Sequence, residues 1–101
     1  MKIVLRQNIM LKEVHKTIRI EKIEKTLNSD VIPREGTIII DEFYETSTNF
    51  DGLYRAKDIA IDYKENTCYV DLQDIVIQSY EEIDLDKEIE RAEALGWIYL
   101  M

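Results

Sequence analysis

The chain has 101 residues, with 21 acidic side chains against 13 basic ones and a formal charge of −8. At that length one compact core can form and a second domain cannot, so residues 1 to 101 are expected to be a single domain. A hydrophobic content of 46% with only three glycines and one proline excludes a low-complexity or disordered chain.

Residues 2 to 6 read as a short strand. Residues 8 to 27 fit two patterns. A helix would align Leu11, Val14 and Ile18 on one stripe and Ile20, Ile23 and Leu27 on another. Strands would alternate Ile9 and Leu11, then Ile18 and Ile20, with polar neighbours. The β-branched second half favours strands with a bend near residues 13 to 16. Residues 28 to 36 form a connection: Pro33 holds Ile32 extended, and Gly36 can adopt a positive φ before a strand that starts at Thr37. Three consecutive isoleucines, Ile38 to Ile40, suggest a strand covered on both faces or one with a bulge. Residues 45 to 52 then make a polar loop carrying Phe50.

Residues 54 to 78 have the pattern of a β-meander. Ile59, Ile61 and Tyr63 face one way, residues 64 to 66 turn, Cys68, Val70 and Leu72 form the next apolar face, and residues 74 to 78 add a strand. The last segment is a helix with Asp84 as N-cap and Leu85, Ile89, Ala92 and Leu95 as its apolar stripe. Gly96 stands at its C′ position, followed by Trp97, which packs back on the helix end.

Charge is unevenly placed. Residues 1 to 29 carry 7 basic and 3 acidic side chains, and residues 51 to 101 carry 5 and 13. The densest run holds nine carboxylates between Asp71 and Glu93. Alternation of Glu82, Asp84, Asp86 and Glu88 resembles a calcium ladder, but no glycine stands at its sixth position, so no metal or other cofactor is expected. The alternatives are an acidic helix N-terminus with a solvated face, and a surface that docks a basic partner. His15 has no nucleophile or co-ligands near it in sequence, and Cys68 falls on an apolar face where a thiol behaves as a small hydrophobe. The nine aromatic residues lie mostly in the acidic part of the chain, which disfavours nucleic acid. Phe50 and Tyr54, flanking Asp51 and Gly52, read either as an exposed aromatic pair or as a lid over the open end of the sheet.

No glycine-rich phosphate loop, Gly-x-Ser-x-Gly, His-Glu-x-x-His or Cys-x-x-Cys occurs, so no enzymatic activity is expected. Lys2 and Arg6 interrupt the apolar start, and the longest apolar run, residues 97 to 101, falls far short of the roughly 20 residues that span a bilayer. With a single cysteine, these features point to a cytoplasmic protein without a membrane partner.

The run Val31-Ile32-Pro33-Arg34-Glu35-Gly36 leading into residues 37 to 40, then Tyr69-Val70-Asp71-Leu72 and the closing Leu95-Gly96-Trp97, resembles a group of small Firmicutes phage and prophage proteins of unknown function. The Pro-x-x-Gly turn before a strand is also similar to the entry of SH3-like small barrels. The group offers no catalytic residues to carry over; the resemblance implies a mobile-element accessory protein that acts by binding.

The expected fold is therefore α+β: a bent antiparallel sheet, as in an SH3-like partly closed barrel, with one C-terminal helix. The expected function is that of a non-enzymatic module presenting Glu81, Glu82, Asp84, Asp86 and Glu90, with Phe50 and Tyr54, to a basic protein. Two alternatives remain open: a homo-oligomer assembling through sheet edges, and a small-molecule binder with a tyrosine-lined pocket between sheet and helix.

Overall fold

A computed structural model of the chain describes residues 1 to 47, 54 to 79 and 81 to 100. Its centre is one long antiparallel hairpin of β1 (Lys2–Glu13) and β2 (Lys16–Asn28), turning at Val14 and His15. The ambiguous segment is thus strand, with its bend where expected. The first strand, however, does not end at Arg6 but continues through Gln7 and Asn8. Strand alternation puts Ile3, Leu5, Ile9 and Leu11 on one face, where all four are buried together with Ile23 of β2. Val14 adopts a φ of 54°, which costs a β-branched residue about 1 to 2 kcal/mol. The register shifts between Leu11 and Lys12, so the end of the hairpin carries a bulge.

After the connection come β3 (Ile38–Ile39), α1 (Glu42–Glu45), β4 (Tyr54–Asp62), β5 (Thr67–Leu72) and β6 (Ile75–Gln78), and then α2 (Glu82–Ala94) and β7 (Ile98–Leu100). The expected strand of residues 37 to 40 shrinks to two residues at the sheet edge, and Ile40 is 75% exposed rather than covered. The short helix α1 stands where the isoleucine run and the polar loop after it predict no helix. Asp41 starts it by accepting the Phe43 N–H.

The strands lie in the order β3-β4-β5-β1-β2-β7, with β6 also on β1, in a sheet that curls into a half-barrel. The expectation of a purely antiparallel sheet is corrected here. Hairpins β1–β2 and β4–β5 are antiparallel, but β5 and β6 both run parallel to β1, over Lys2 to Arg6 and Ile9 to Lys12 respectively. β6 therefore does not fold back on β5 as a meander would. It follows β5 along the same neighbour, separated by Gln73 and Asp74. Periodicity reports which side chains are buried and says nothing of strand direction.

α2 packs Leu85, Ile89 and Ala92 into the core. Its N-cap is Glu81, not Asp84, which lies inside the first turn. No side chain caps the helix at Glu81; the Ser79 hydroxyl, two residues earlier, accepts the Glu81 N–H at 3.1 Å and bonds the Asp84 carboxylate. The C-terminus follows the expectation: Gly96 has φ 95°, the Trp97 N–H reaches the Ala92 carbonyl at 3.0 Å, and the Gly96 N–H reaches that of Glu93 at 3.3 Å, a Schellman closure. This turn drives Trp97 into the core against Phe43 and Tyr44, with ring centroids 5.8 and 5.9 Å away. Among the described residues no helix is long and apolar enough to cross a membrane.

Candidate functional site

The acidic face begins with helix periodicity. Glu82, Asp86, Glu90 and Glu93, spaced by four, four and three residues, share one side of α2. All four are exposed, as is Glu81 just before the helix. The fold engages part of this stripe. Arg19 of β2 reaches over to Asp86 at 2.7 Å and Glu82 at 3.9 Å while its Nε bonds Glu21 at 2.7 Å. Glu21 also accepts the Tyr99 hydroxyl at 2.5 Å, and these donors hold its carboxyl below the usual range despite the opposing effect of burial. Helix α2 is thereby pinned to β2 and β7. Asp84 is half-buried on Ser79, and Glu88, one of the nine carboxylates in the acidic run, is buried under Arg91 at 2.7 Å. The Arg91 guanidinium stacks 4.4 Å over the Phe43 ring and donates to Thr46.

Of the five carboxylates singled out in sequence, Asp84 and Asp86 are thus structural anchors as well as acidic groups. Glu81 and Glu90 stand in solvent with no ion pair among the described residues, and Glu93 joins them. The sequence charge dipole is also partly cancelled in space. Arg19 faces Asp86, and Lys25 lies 2.7 Å from Asp41.

Tyr54 corrects the aromatic expectation. Only 9% exposed, it packs with its ring 5.1 Å from that of Tyr44. The reason is its place opposite Ile39 at the sheet edge, which turns the ring inward under the aromatic cluster. Phe50 lies outside the described residues. Tyr44 and Tyr54 are core residues in the region where a tyrosine-lined pocket was expected. Cys68 is fully buried, and burial pushes its thiol pKa up. His15 sits exposed in the hairpin turn. Among the described residues no group of His, Cys, Asp and Glu is placed to hold a metal ion.

A concave feature lies elsewhere. Ile3 and Leu5 of β1 and Leu27 of β2 floor an apolar cleft of about 370 Å³, walled by Val31 of the connection, Ile38 of β3 and Ile40 just after it. Val31 and Ile40 are about three-quarters exposed, although both are aliphatic. The nearby polar groups are occupied: Thr37 accepts the Arg34 N–H, and Asp41 bonds Lys25, Trp97 and Phe43. The sequence signal for this cleft was the isoleucine run, which reads equally well as a buried strand. No family model matches the chain, and comparison with curated proteins and with solved structures gives no match either.

Proposed function

We propose that the protein is a non-enzymatic interaction module offering the solvent side of α2 to a basic protein partner. The observation that carries this reading is the stripe of Glu82, Asp86, Glu90 and Glu93 with Glu81 beside it, in which Glu81, Glu90 and Glu93 make no ion pair among the described residues. Like charges at helical i,i+4 spacing repel by about 0.2 to 0.5 kcal/mol per pair, and a basic partner would relieve that repulsion. A mobile-element accessory protein working in the cytoplasm, imitating phosphate charge toward a host nucleic-acid-binding protein, is one form of this role. An SH3-like small barrel, with which the half-barrel is compatible, would serve as the scaffold of this role.

The test compares two triple variants on binding to protamine. Reversal at Glu81→Lys, Glu90→Lys and Glu93→Lys should weaken binding at least tenfold at low salt with little change in Tm. The same charge change at Asp30→Lys, Glu35→Lys and Glu65→Lys should weaken it far less. Because surface contacts are screened beyond roughly 8 Å at physiological ionic strength, wild-type binding should also fall as salt rises. Equal losses in the two triples would show that only net charge matters and would refute a located surface.

A second reading, a binder of a small uncharged aliphatic molecule, is favoured by the cleft, whose volume falls in the range of roughly 300 to 1,000 Å³ typical of ligand sites. Saturable binding of 1-decanol, with NMR shift changes at Val31 and Ile40 and loss in Leu27→Asp, is the expected result. Non-saturable, dispersed shifts would reject it.

A further inference from the structure

β4 is sandwiched between neighbours only at its start. Tyr54 and Arg55 pair with β3, and Ala56 exchanges hydrogen bonds with Gly36 at 2.7 Å and Thr37 at 2.8 Å. From Lys57 to Asp62 its one strand neighbour among the described residues is β5. The other edge opens onto a groove of about 630 Å³, with Ile59 and Ile61 on the strand bank and Ile32, Pro33, Arg34 and Glu35 on the far bank. The alternation that predicts an inward apolar face here is not met, since Ile59 is half-buried and Ile61 is 37% exposed.

An unpaired strand edge turns the N–H and C=O of every second residue outward. The far bank does little to meet them. Pro33 has no N–H, and the Arg34 N–H is given to the Thr37 hydroxyl. What satisfies such an edge is another extended main chain, whose donors and acceptors repeat at the same spacing.

We infer that the outer edge of β4, from Lys57 to Asp62, binds an extended peptide of a partner protein as an added strand lying in this groove. Alternate aliphatic side chains of the peptide meet Ile32, Ile59 and Ile61, and the charges that line the groove, Arg34 against Glu35 and Asp58, select a peptide with little net charge. A peptide fits better than a second copy of this chain. The far bank obstructs the edge-on approach of another folded sheet, and a two-fold pairing centred on Ala60 would set Asp58 opposite the other copy's Asp62, where like charges repel. The bulge between Ala56 and Asp58 further guards the edge against open-ended stacking. No carboxylate of α2 lines the groove, so this surface is independent of the acidic face.

The experiment selects a displayed library of twelve-residue peptides on the full chain. Enriched sequences should alternate β-branched aliphatic residues. N-methylating one alternate set of amides in the best synthetic peptide should cut affinity at least tenfold, while methylating the other set should change it little. Amides of residues 57 to 62 should gain protection from hydrogen exchange when that peptide binds. The inference is overturned by a selection that enriches nothing, by a peptide whose affinity survives both methylation patterns, by protection confined to other strands, or by protection of 57 to 62 that rises with protein concentration alone, the mark of self-pairing.

Discussion

Replacing Asp41 with alanine is expected to destabilise the fold by about 3 kcal/mol in urea unfolding, since it removes one partner of a partly buried ion pair and leaves other donors unmatched. The Asp41 side chain is 12% exposed and joins three parts of the chain. One oxygen takes Lys25 of β2 at 2.7 Å; the other takes the Trp97 indole N–H and the Phe43 N–H, each at 3.1 Å. Lys25 in turn donates to the Leu95 carbonyl at the end of α2, so the carboxylate organises both the start of α1 and the turn that buries Trp97. Asp41→Asn keeps an acceptor for the two N–H groups but turns an amide NH2 toward the Lys25 ammonium; it loses that hydrogen bond together with the charge and should cost less than the alanine variant by about 1 kcal/mol.

Acidity gives a second readout of the same contact. Burial alone would raise the Asp41 carboxyl pKa, but Lys25, the indole and the Phe43 N–H outweigh it and hold the carboxyl below its ordinary value of 3.8. A carboxyl with a lowered folded pKa contributes stability that is present above the unfolded value and is lost as pH falls through the folded one. The stability difference between wild type and Asp41→Asn should therefore be full near neutral pH and shrink on acidification below about pH 4. A difference that stays constant from pH 7 to pH 3 would show that the charge of Asp41 does not stabilise the fold.

How much of this was legible depended on whether a feature was local. The Gly96 and Trp97 closure could be read because a Schellman turn is written in consecutive residues, and the alternation of Ile9 and Leu11 similarly marked a buried strand face. Asp41 followed by Glu42 was an overlooked helix start, hidden because Ile38 to Ile40 drew the whole stretch into a strand. Asp84 fits the N-cap pattern because any short polar residue before an apolar stripe satisfies it; the helix instead starts after Glu81 with no side-chain cap, and Asp84 inside the first turn bonds Ser79. The acidic face was visible as composition, but its division into anchors and free carboxylates was not. Arg19 lies 67 residues from Asp86, and only the curl of the sheet brings them together. Tyr54 reads as exposed because it follows a polar loop in sequence, whereas its neighbours in space are Tyr44 and β3.

The polar pair Gln7 and Asn8 shows the same limit most sharply and supports the second large effect. In sequence it looks like the end of a strand. In the fold β1 runs straight through, and the interruption belongs to its neighbour, where β5 stops at Leu72 and β6 begins at Ile75. Gln7, almost fully buried, fills that gap: its amide donates to the carbonyls of Gln73 at 2.6 Å and Asn8 at 2.8 Å, and its oxygen accepts the Tyr44 hydroxyl at 2.8 Å. On the other face Asn8 donates to Asp74 at 3.2 Å. Gln7→Leu should cost about 2 to 4 kcal/mol, because similar volume is kept while the Tyr44 hydroxyl and the Gln73 carbonyl lose their partner in a buried setting. Tyr44→Phe should cost about 1 to 2 kcal/mol by orphaning the Gln7 oxygen. The double variant should cost less than the sum of the two, since once Gln7 is gone the Tyr44 hydroxyl is itself an unmatched buried group whose removal is favourable. Strictly additive losses in urea unfolding would mean the two side chains do not act as one network. In that case the continuity of β5 and β6 along β1 would rest on their main-chain pairing with β1 and on the apolar contacts of Ile75 and Ile77.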